Sequence, residues 1–282
     1  MKIIDAHHHV WDLGVRDQDW ITGDEMAAIR RSFGIDDLRP LAAATGVTAT
    51  IMVQTVTVAE ETPEMLALAA ADPLVAGVVG WTDLESPRVA ATLAELKALP
   101  GGEKLVGIRH QVQSEPDPDW LRRPEVLRGL RAVAEAGLVY DLIVRPHQLE
   151  AASDAAAAVP GMTFVLDHGG KPAVASGALE PWASALRALA GWPNVVCKLS
   201  GLVTEAAAGM PASGFAPYAD VILNAFGPDR VMFGSDWPVC LLAAGYAEVV
   251  DLASALVADL SDADRTAVFV TTATRVYLDG KA

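Results

Sequence analysis

The sequence predicts a (β/α)8 barrel, and three observations predict it. Eight short apolar, β-branched runs recur along 282 residues, each followed by a polar stretch and a helical pattern. Strands joined by helical crossovers run parallel, and closing such a sheet removes its exposed edges. The reactive side chains fall at or just past the C-terminal ends of those runs, where barrel enzymes carry their chemistry. A doubly wound open sheet is the rival fold, but no GxGxxG turn follows the first run. No Gly/Ser-rich linker or charge block divides the chain, so residues 1–282 read as one domain with long loops at the C-terminal mouth.

The strand runs lie at residues 2–6, 48–53, 75–79, 105–109, 138–144, 163–167, 195–199 and 231–234. The first continues through His7-His8-His9, so residues 3–10 read as one strand. Side chains alternate along a strand, which puts His7 and His9 on one face and His8 on the other, with Asp5 on the His7 face one step deeper. At ~3.3 Å per residue the two imidazoles stand about 7 Å apart and can converge on one ion or one substrate. Helix-stopping signals precede later runs at Gly46, Gly137, Pro160-Gly161, Gly191 and Gly227-Pro228. Thr62-Pro63 and Ser86-Pro87 read as N-caps followed by proline, the second leading into the apolar stripe Val89, Leu93, Leu96. Ser261 caps a last helix through about Tyr277. Three long connections, 13–33, 111–124 and 201–217, follow strand ends and rim one mouth.

Composition narrows the partners. The chain is 52% hydrophobic and 20% charged, enough for a large core. Its net charge of −15 repels nucleic acid and anionic membrane. Two cysteines, Cys197 and Cys240, form no CxxC pair and read as reduced. There is no signal-peptide pattern at the N-terminus and no apolar run of the ~18 residues a membrane span needs. These features predict a cytoplasmic protein acting on a small molecule. Oligomeric state leaves no mark in the sequence.

The chemical residues fall in strand order. His7 and His9 end the first strand, Gln54 the second, Trp81 the third and Arg109-His110 the fourth. Asp141 lies on the fifth strand, Asp167-His168 ends the sixth, Lys198 and Ser200 belong to the seventh, and Asp236-Trp237 follows the eighth. Trp11, Trp81 and Trp237 can stack on the face of a ring-shaped small molecule.

In this order the stretches Asp5-Ala6-His7-His8-His9-Val10-Trp11-Asp12, Gly107-Ile108-Arg109-His110, Tyr140-Asp141-Leu142, Leu166-Asp167-His168-Gly169-Gly170-Lys171-Pro172, Cys197-Lys198-Leu199-Ser200-Gly201-Leu202 and Phe233-Gly234-Ser235-Asp236-Trp237-Pro238 resemble the amidohydrolase superfamily. Within it they are similar to the sugar-lactone hydrolases acting on L-fuconolactone or L-rhamnonolactone. The resemblance covers nearly the whole chain. It implies a (β/α)8 barrel that hydrolyses a lactone. His7 and His9 match the superfamily's HxH pair, His168 its sixth-strand histidine and Asp236 its eighth-strand aspartate. Asp141 stands where a fifth-strand histidine is usual, and no bridging lysine stands on the fourth strand, which argues against a two-metal site. The resemblance therefore implies either one Zn²⁺-like ion at His7, His9 and Asp236 or a metal-independent site.

Opening a cyclic ester needs an activated water, a stabilised oxyanion and a proton for the leaving alkoxide. Asp236 is the expected base. His168 and Arg109 are expected to face the oxyanion, and Lys198 or His110 to protonate the leaving oxygen. Arg109, Gln54, Trp81, Asp141, Trp11 and Trp237 are expected to bind substrate. The competing expectations are a metal-dependent decarboxylase, a muconolactone or pyrone-dicarboxylate type hydrolase, and a non-catalytic binding barrel.

Overall fold

Eight strands pair side by side in sequence order, every neighbour parallel, in a computed structural model that describes residues 2–279. Met1 and residues 280–282, the ends of the expected 1–282 domain, lie outside the described residues. The strands are β1 (Ile3–His8), β2 (Val47–Val53), β3 (Val75–Gly80), β4 (Leu105–His110), β5 (Val139–Leu142), β6 (Phe164–Leu166), β7 (Val195–Leu199) and β8 (Val231–Phe233). The helices are α1 (Ile35–Thr45), α2 (Glu61–Ala71), α3 (Val89–Lys97), α4 (Pro124–Glu135), α5 (Leu149–Ala158), α6 (Trp182–Ala190), α7 (Ala212–Phe226), α8 (Tyr246–Leu256) and α9 (Asp262–Thr266). This is the (β/α)8 barrel expected from the run pattern.

Two apolar layers hold it together. Ile4, Ala6, Ile51, Val53, Val79, Val106, Val139, Val165, Val196 and Met232 fill the barrel interior. A larger layer lies between strands and helices, with Leu38, Leu66, Leu93, Leu130, Leu186 and Ile222 fully buried. Such a sheet buries both faces, which is why its strands read as continuous apolar runs and not as alternating ones.

The seam between β1 and β8 closes the barrel and departs from simple alternation. His8 bridges Trp237, the His9 N–H donates to the Trp237 carbonyl (2.7 Å), and the Asp236 N–H donates to the His7 carbonyl (2.8 Å). The register of β1 shifts between Asp5 and His8. Ile4 and Ala6 therefore face the interior, and so do His7 and His9, one residue out of phase. Asp5 does not share the His7 face as strict alternation predicts. Its carboxylate turns outward and staples the seam, accepting from Ser235 N (2.8 Å), His7 N (3.1 Å) and the Tyr246 hydroxyl of α8 (3.0 Å).

Two helix starts also differ from the sequence reading. Glu61 already belongs to α2, so Thr62 is inside the helix, and its hydroxyl bonds the Trp81 backbone instead. Ser86 accepts from Arg88 N in the turn before α3, three residues ahead of its first residue Val89. Ser261 does cap α9 through Asp264 N. The chain continues beyond α9 as π-helical segments, Ala267–Thr271 and Thr274–Leu278. These carry Ala273 and Tyr277 into the interior against Ile4, Val106, Val139 and Val196, each among the first two residues of its strand. The C-terminal segment thus plugs the end where the strands begin, opposite the histidines. No helix among the described residues is long and apolar enough to cross a membrane.

Asp5→Ala should expose the importance of the seam. It orphans three buried donors at about 1–3 kcal/mol each, so the urea midpoint should correspond to a loss of about 3 kcal/mol or more. An unchanged midpoint would remove the staple from this account.

Candidate active site

The site is built where two non-glycine residues adopt left-handed backbone. After β6 the chain turns at His168 (φ 55°), and after β8 at Asp236 (φ 58°). Such residues cost about 1–3 kcal/mol each and persist only where their surroundings fix them. Here the turns swing both side chains back over the barrel mouth. Room is made by glycine. A Cβ on Gly201, itself at φ +63°, would lie 2.5 Å from His168 Nδ1, and one on Gly234 would lie 2.7 Å from His7 Cβ.

Four side chains meet at the mouth. His7 Nε2 is 3.2 Å from His9 Nε2. Asp236 Oδ1 lies 3.4 Å from His9 Nε2, 3.7 Å from His7 Nε2 and 3.8 Å from His168 Nε2. His9 donates through Nδ1 to the Val53 carbonyl (2.7 Å), leaving Nε2 as a lone pair aimed into the site. His168 Nδ1 pairs with the Ser200 hydroxyl at 2.8 Å.

A second, fully buried layer lies behind His7. The Lys198 ammonium reaches Asp141 Oδ2 (2.5 Å), Asp167 Oδ1 (3.0 Å) and His7 Nδ1 (3.0 Å). Arg109 donates to Asp167 Oδ2 (3.0 Å) and to the side chain of Gln54, with its Nη1 3.3 Å from His7 Nε2. The Tyr277 hydroxyl meets both oxygens of Asp141 at 2.9 Å. Two cations and two carboxylates balance here, which buried charge requires.

Electrostatics follow from burial and these partners. Burial opposes ionisation of Asp236, but the imidazoles of His168, His9 and His7 around it outweigh burial and hold the carboxyl below its ordinary value. Burial pushes His168 down to about 4 against the pull of Asp236 and Asp167, so the ring is neutral near pH 7. His7 is likewise pushed well down by burial, against Asp167. Burial works against Asp167 too, yet Lys198 and His7 keep it well below the ordinary carboxylate range.

His7, His168 and Asp236 form a cluster that can hold a metal ion, and His9 flanks it. Ligands ~2.0–2.1 Å from a Zn²⁺ stand about 3.3–3.4 Å apart at tetrahedral angles. The His7–His9 pair and the three pairs made by Asp236 span 3.2–3.8 Å, and the ligand atoms of His7, His168 and Asp236 all lie within 4.8 Å of one another. One carboxylate oxygen behind His7 fits the same role. Asp167 Oδ1 lies 3.2 Å from His7 Nδ1, is buried, and receives no aligned hydrogen bond. Without metal, Lys198 donates to Nδ1 and the ring proton sits on Nε2, facing the His9 lone pair. Ligation through Nε2 needs that nitrogen bare, which moves the proton to Nδ1, where Asp167 Oδ1 is the waiting acceptor. A second potential cluster, His7 with Asp141 and Asp167, already surrounds the Lys198 ammonium.

The structure thus brings His7, His9, His168, Asp236, Arg109, Lys198, Gln54 and Asp141 together. Gln54 and Asp141 are fully buried, with their polar groups spent on Arg109 and on Lys198 and Tyr277. His110 sits at the rim, stacked on Trp120, accepting from Trp81 Nε1 (3.0 Å) and paired with Glu115 (2.7 Å). Trp11 and Trp237 are buried around Phe33. Trp11 also lines a cavity of about 510 Å³ with Val10, Phe33, Glu61 and Met65. His8 points away between the helices and His147 is exposed. Sequence reasoning gave no role to Asp167 or Tyr277. The Asp-His pair at the sixth strand end carried a signal for the first, while the second arrives from the far end of the chain.

Comparison with known proteins follows the same lines. The family model described as Amidohydrolase matches residues 4–278. The chain is 42% identical to an L-fucono-1,5-lactonase of Burkholderia multivorans, over 97% of this chain and 95% of that protein. It is 40% identical to an L-fucono-1,5-lactonase of Burkholderia ambifaria, over 87% and 83%. A crystal structure of an amidohydrolase from Burkholderia multivorans with bound Zn superposes with a TM-score of 0.92 at 42% identity, covering 98% and 99% of the two chains.

His8 provides a pH test of this strand. Both ring nitrogens lack partners, and burial pushes the ring down to about 3. Below pH 6.5 the unfolded chain takes up a proton that folded His8 refuses, so the protein loses stability as pH falls toward 3. His8→Leu removes that term. Relative to the parent, the variant should gain about 2 kcal/mol between pH 6.5 and 5, read from urea midpoints. An offset equal at both pH values would contradict the reading.

Proposed function

The chain belongs to the amidohydrolase family, and from that premise we propose that it opens the ring of a sugar-acid lactone, L-fucono-1,5-lactone first among them, to the hydroxy acid. The observation that carries the proposal is Asp236, an ionised carboxylate held 3.4–3.8 Å from three imidazoles at the barrel mouth. Asp236 removes the proton from the attacking water, acting as a base whose low pKa keeps it available throughout the neutral range. Arg109 Nη1 faces this space beside His7 Nε2 and donates to the developing oxyanion, joined by the His7 Nε2 proton only where no ion is bound. A Zn²⁺ held by His7, His9, His168 and Asp236 would supply Lewis-acid polarisation of the ester carbonyl and make water more acidic. Lys198 has no exposed surface, whereas His110 keeps part of its ring open at the rim. Protonation of the leaving alkoxide is assigned to His110, whose Nε2 proton would have to leave Glu115 for the alkoxide, and a positioning task to Lys198. Trp81, part-exposed at the rim beside His110, receives the sugar substituents, whereas the cavity beside Trp11 is lined by none of His7, His9, His168 and Asp236.

The charge pattern favours a neutral lactone over a carboxylated substrate. Arg109 is paired with Asp167, Lys198 with Asp141 and Asp167, and Lys171 with Glu205 at 2.9 Å. Capturing a substrate carboxylate on any of these three cations, as a decarboxylase or a pyrone-dicarboxylate hydrolase working through them must, would require breaking its pair.

A panel of lactones followed with a pH indicator tests the reading. Acid release from L-fucono-1,5-lactone is expected, with little from dicarboxylate lactones. Asp236→Asn should lower kcat by about 10²–10⁴-fold while leaving the circular dichroism spectrum unchanged. Near-normal turnover by that variant would remove Asp236 as the base.

A further inference from the structure

Tyr277 is 136 residues from Asp141 in sequence, and it enters the barrel from the end opposite the reaction. An ordinary anchoring tyrosine needs one acceptor. This hydroxyl meets both oxygens of Asp141 at the same 2.9 Å, which fixes the plane of the carboxylate. Asp141 in turn holds the Lys198 ammonium at 2.5 Å, and the Tyr277 ring lies 5.4 Å from that same Nζ. Lys198 then reaches His7 Nδ1 at 3.0 Å, and the far edge of His7 faces Asp236. Every member of this chain is fully or almost fully buried, so no water offers Asp141 a replacement donor from outside.

The geometry points to Tyr277 as a positioning residue: through Asp141 and Lys198 its hydroxyl fixes the orientation of the His7 ring, making the C-terminal segment a working part of the active site. The inference rests on the lactonase reading for its kinetic arm. Without the hydroxyl, the carboxylate of Asp141 is free to turn about its own axis and Lys198 loses its fixed partner. The ring of His7 then samples orientations in which Nε2 misses the site.

The experiment uses the full-length chain with Tyr277→Phe, which keeps the ring and its packing. Expected are a fall of about tenfold in Zn²⁺ affinity, measured by competition with a chromophoric chelator, and a similar fall in kcat on L-fucono-1,5-lactone with KM unchanged. Incorporating 3-fluorotyrosine at 277, which restores the hydroxyl, should return both values to those of the parent. Ala273→Gly loosens the same plug without touching Asp141, and should lower Tm while leaving Zn²⁺ affinity and kcat alone. If Tyr277→Phe matches the parent in both, or if Ala273→Gly reproduces its losses, Tyr277 is only an anchor. If Tyr277→Phe does not fold, the 3-fluorotyrosine protein decides: Zn²⁺ affinity well below that of the parent would overturn the inference. A parent chain inactive on the lactone sinks the functional reading, while the Zn²⁺ measurements still decide this one.

Discussion

One imidazole, that of His7, is gripped on both edges, and the arrangement of the site depends on that grip. Its Nδ1 edge meets Lys198 and Asp167, and its Nε2 edge meets His9, Arg109 and Asp236. The two layers of the site share this ring. The inner layer is a closed set of balanced charges. The outer layer gathers lone pairs and a carboxylate around the space where a substrate or an ion would lie. Shifting the ring by a fraction of an ångström would disturb both.

Such a core does little for stability. Buried ion pairs often lose against apolar groups of equal volume, because desolvation offsets most of the attraction. Left-handed backbone at His168 and Asp236 adds about 1–3 kcal/mol of strain apiece. A barrel selected only to be stable would have neither. These costs are carried by the two apolar layers, and they fall at the mouth and interior positions that the proposed reaction uses. The same economy explains the charge pattern in and beside the site, where Arg109, Lys198 and Lys171 already have their carboxylates.

Much of this was legible in the sequence because barrel strands bury both faces and read as apolar runs. The eight runs lie within a few residues of the observed strands, and His7, His9, His168 and Asp236 meet as their places at strand ends imply. What stayed hidden has local causes and distant ones. The register shift in β1 breaks period-two alternation, so Asp5 faces Tyr246 and not the site. The left-handed turn at His168 lets Asp167 and His168 serve the same cavity from adjacent positions, which simple alternation forbids. Tyr277 reaches Asp141 only after the whole barrel has closed, so no window of sequence contains both. Gln54 and Asp141 look like open polar groups until their partners are known.

His7 is a shared ring, bonded from Lys198 when no ion is present and donating from Nδ1 to Asp167 when one is. Long-range ¹H–¹⁵N spectra of histidine-labelled protein, taken without and with Zn²⁺, observe that proton directly. The predicted result is an unprotonated Nδ1 and protonated Nε2 in the metal-free protein, exchanging to a protonated Nδ1 once Zn²⁺ is added. A His7 whose tautomer is the same in both samples would contradict it.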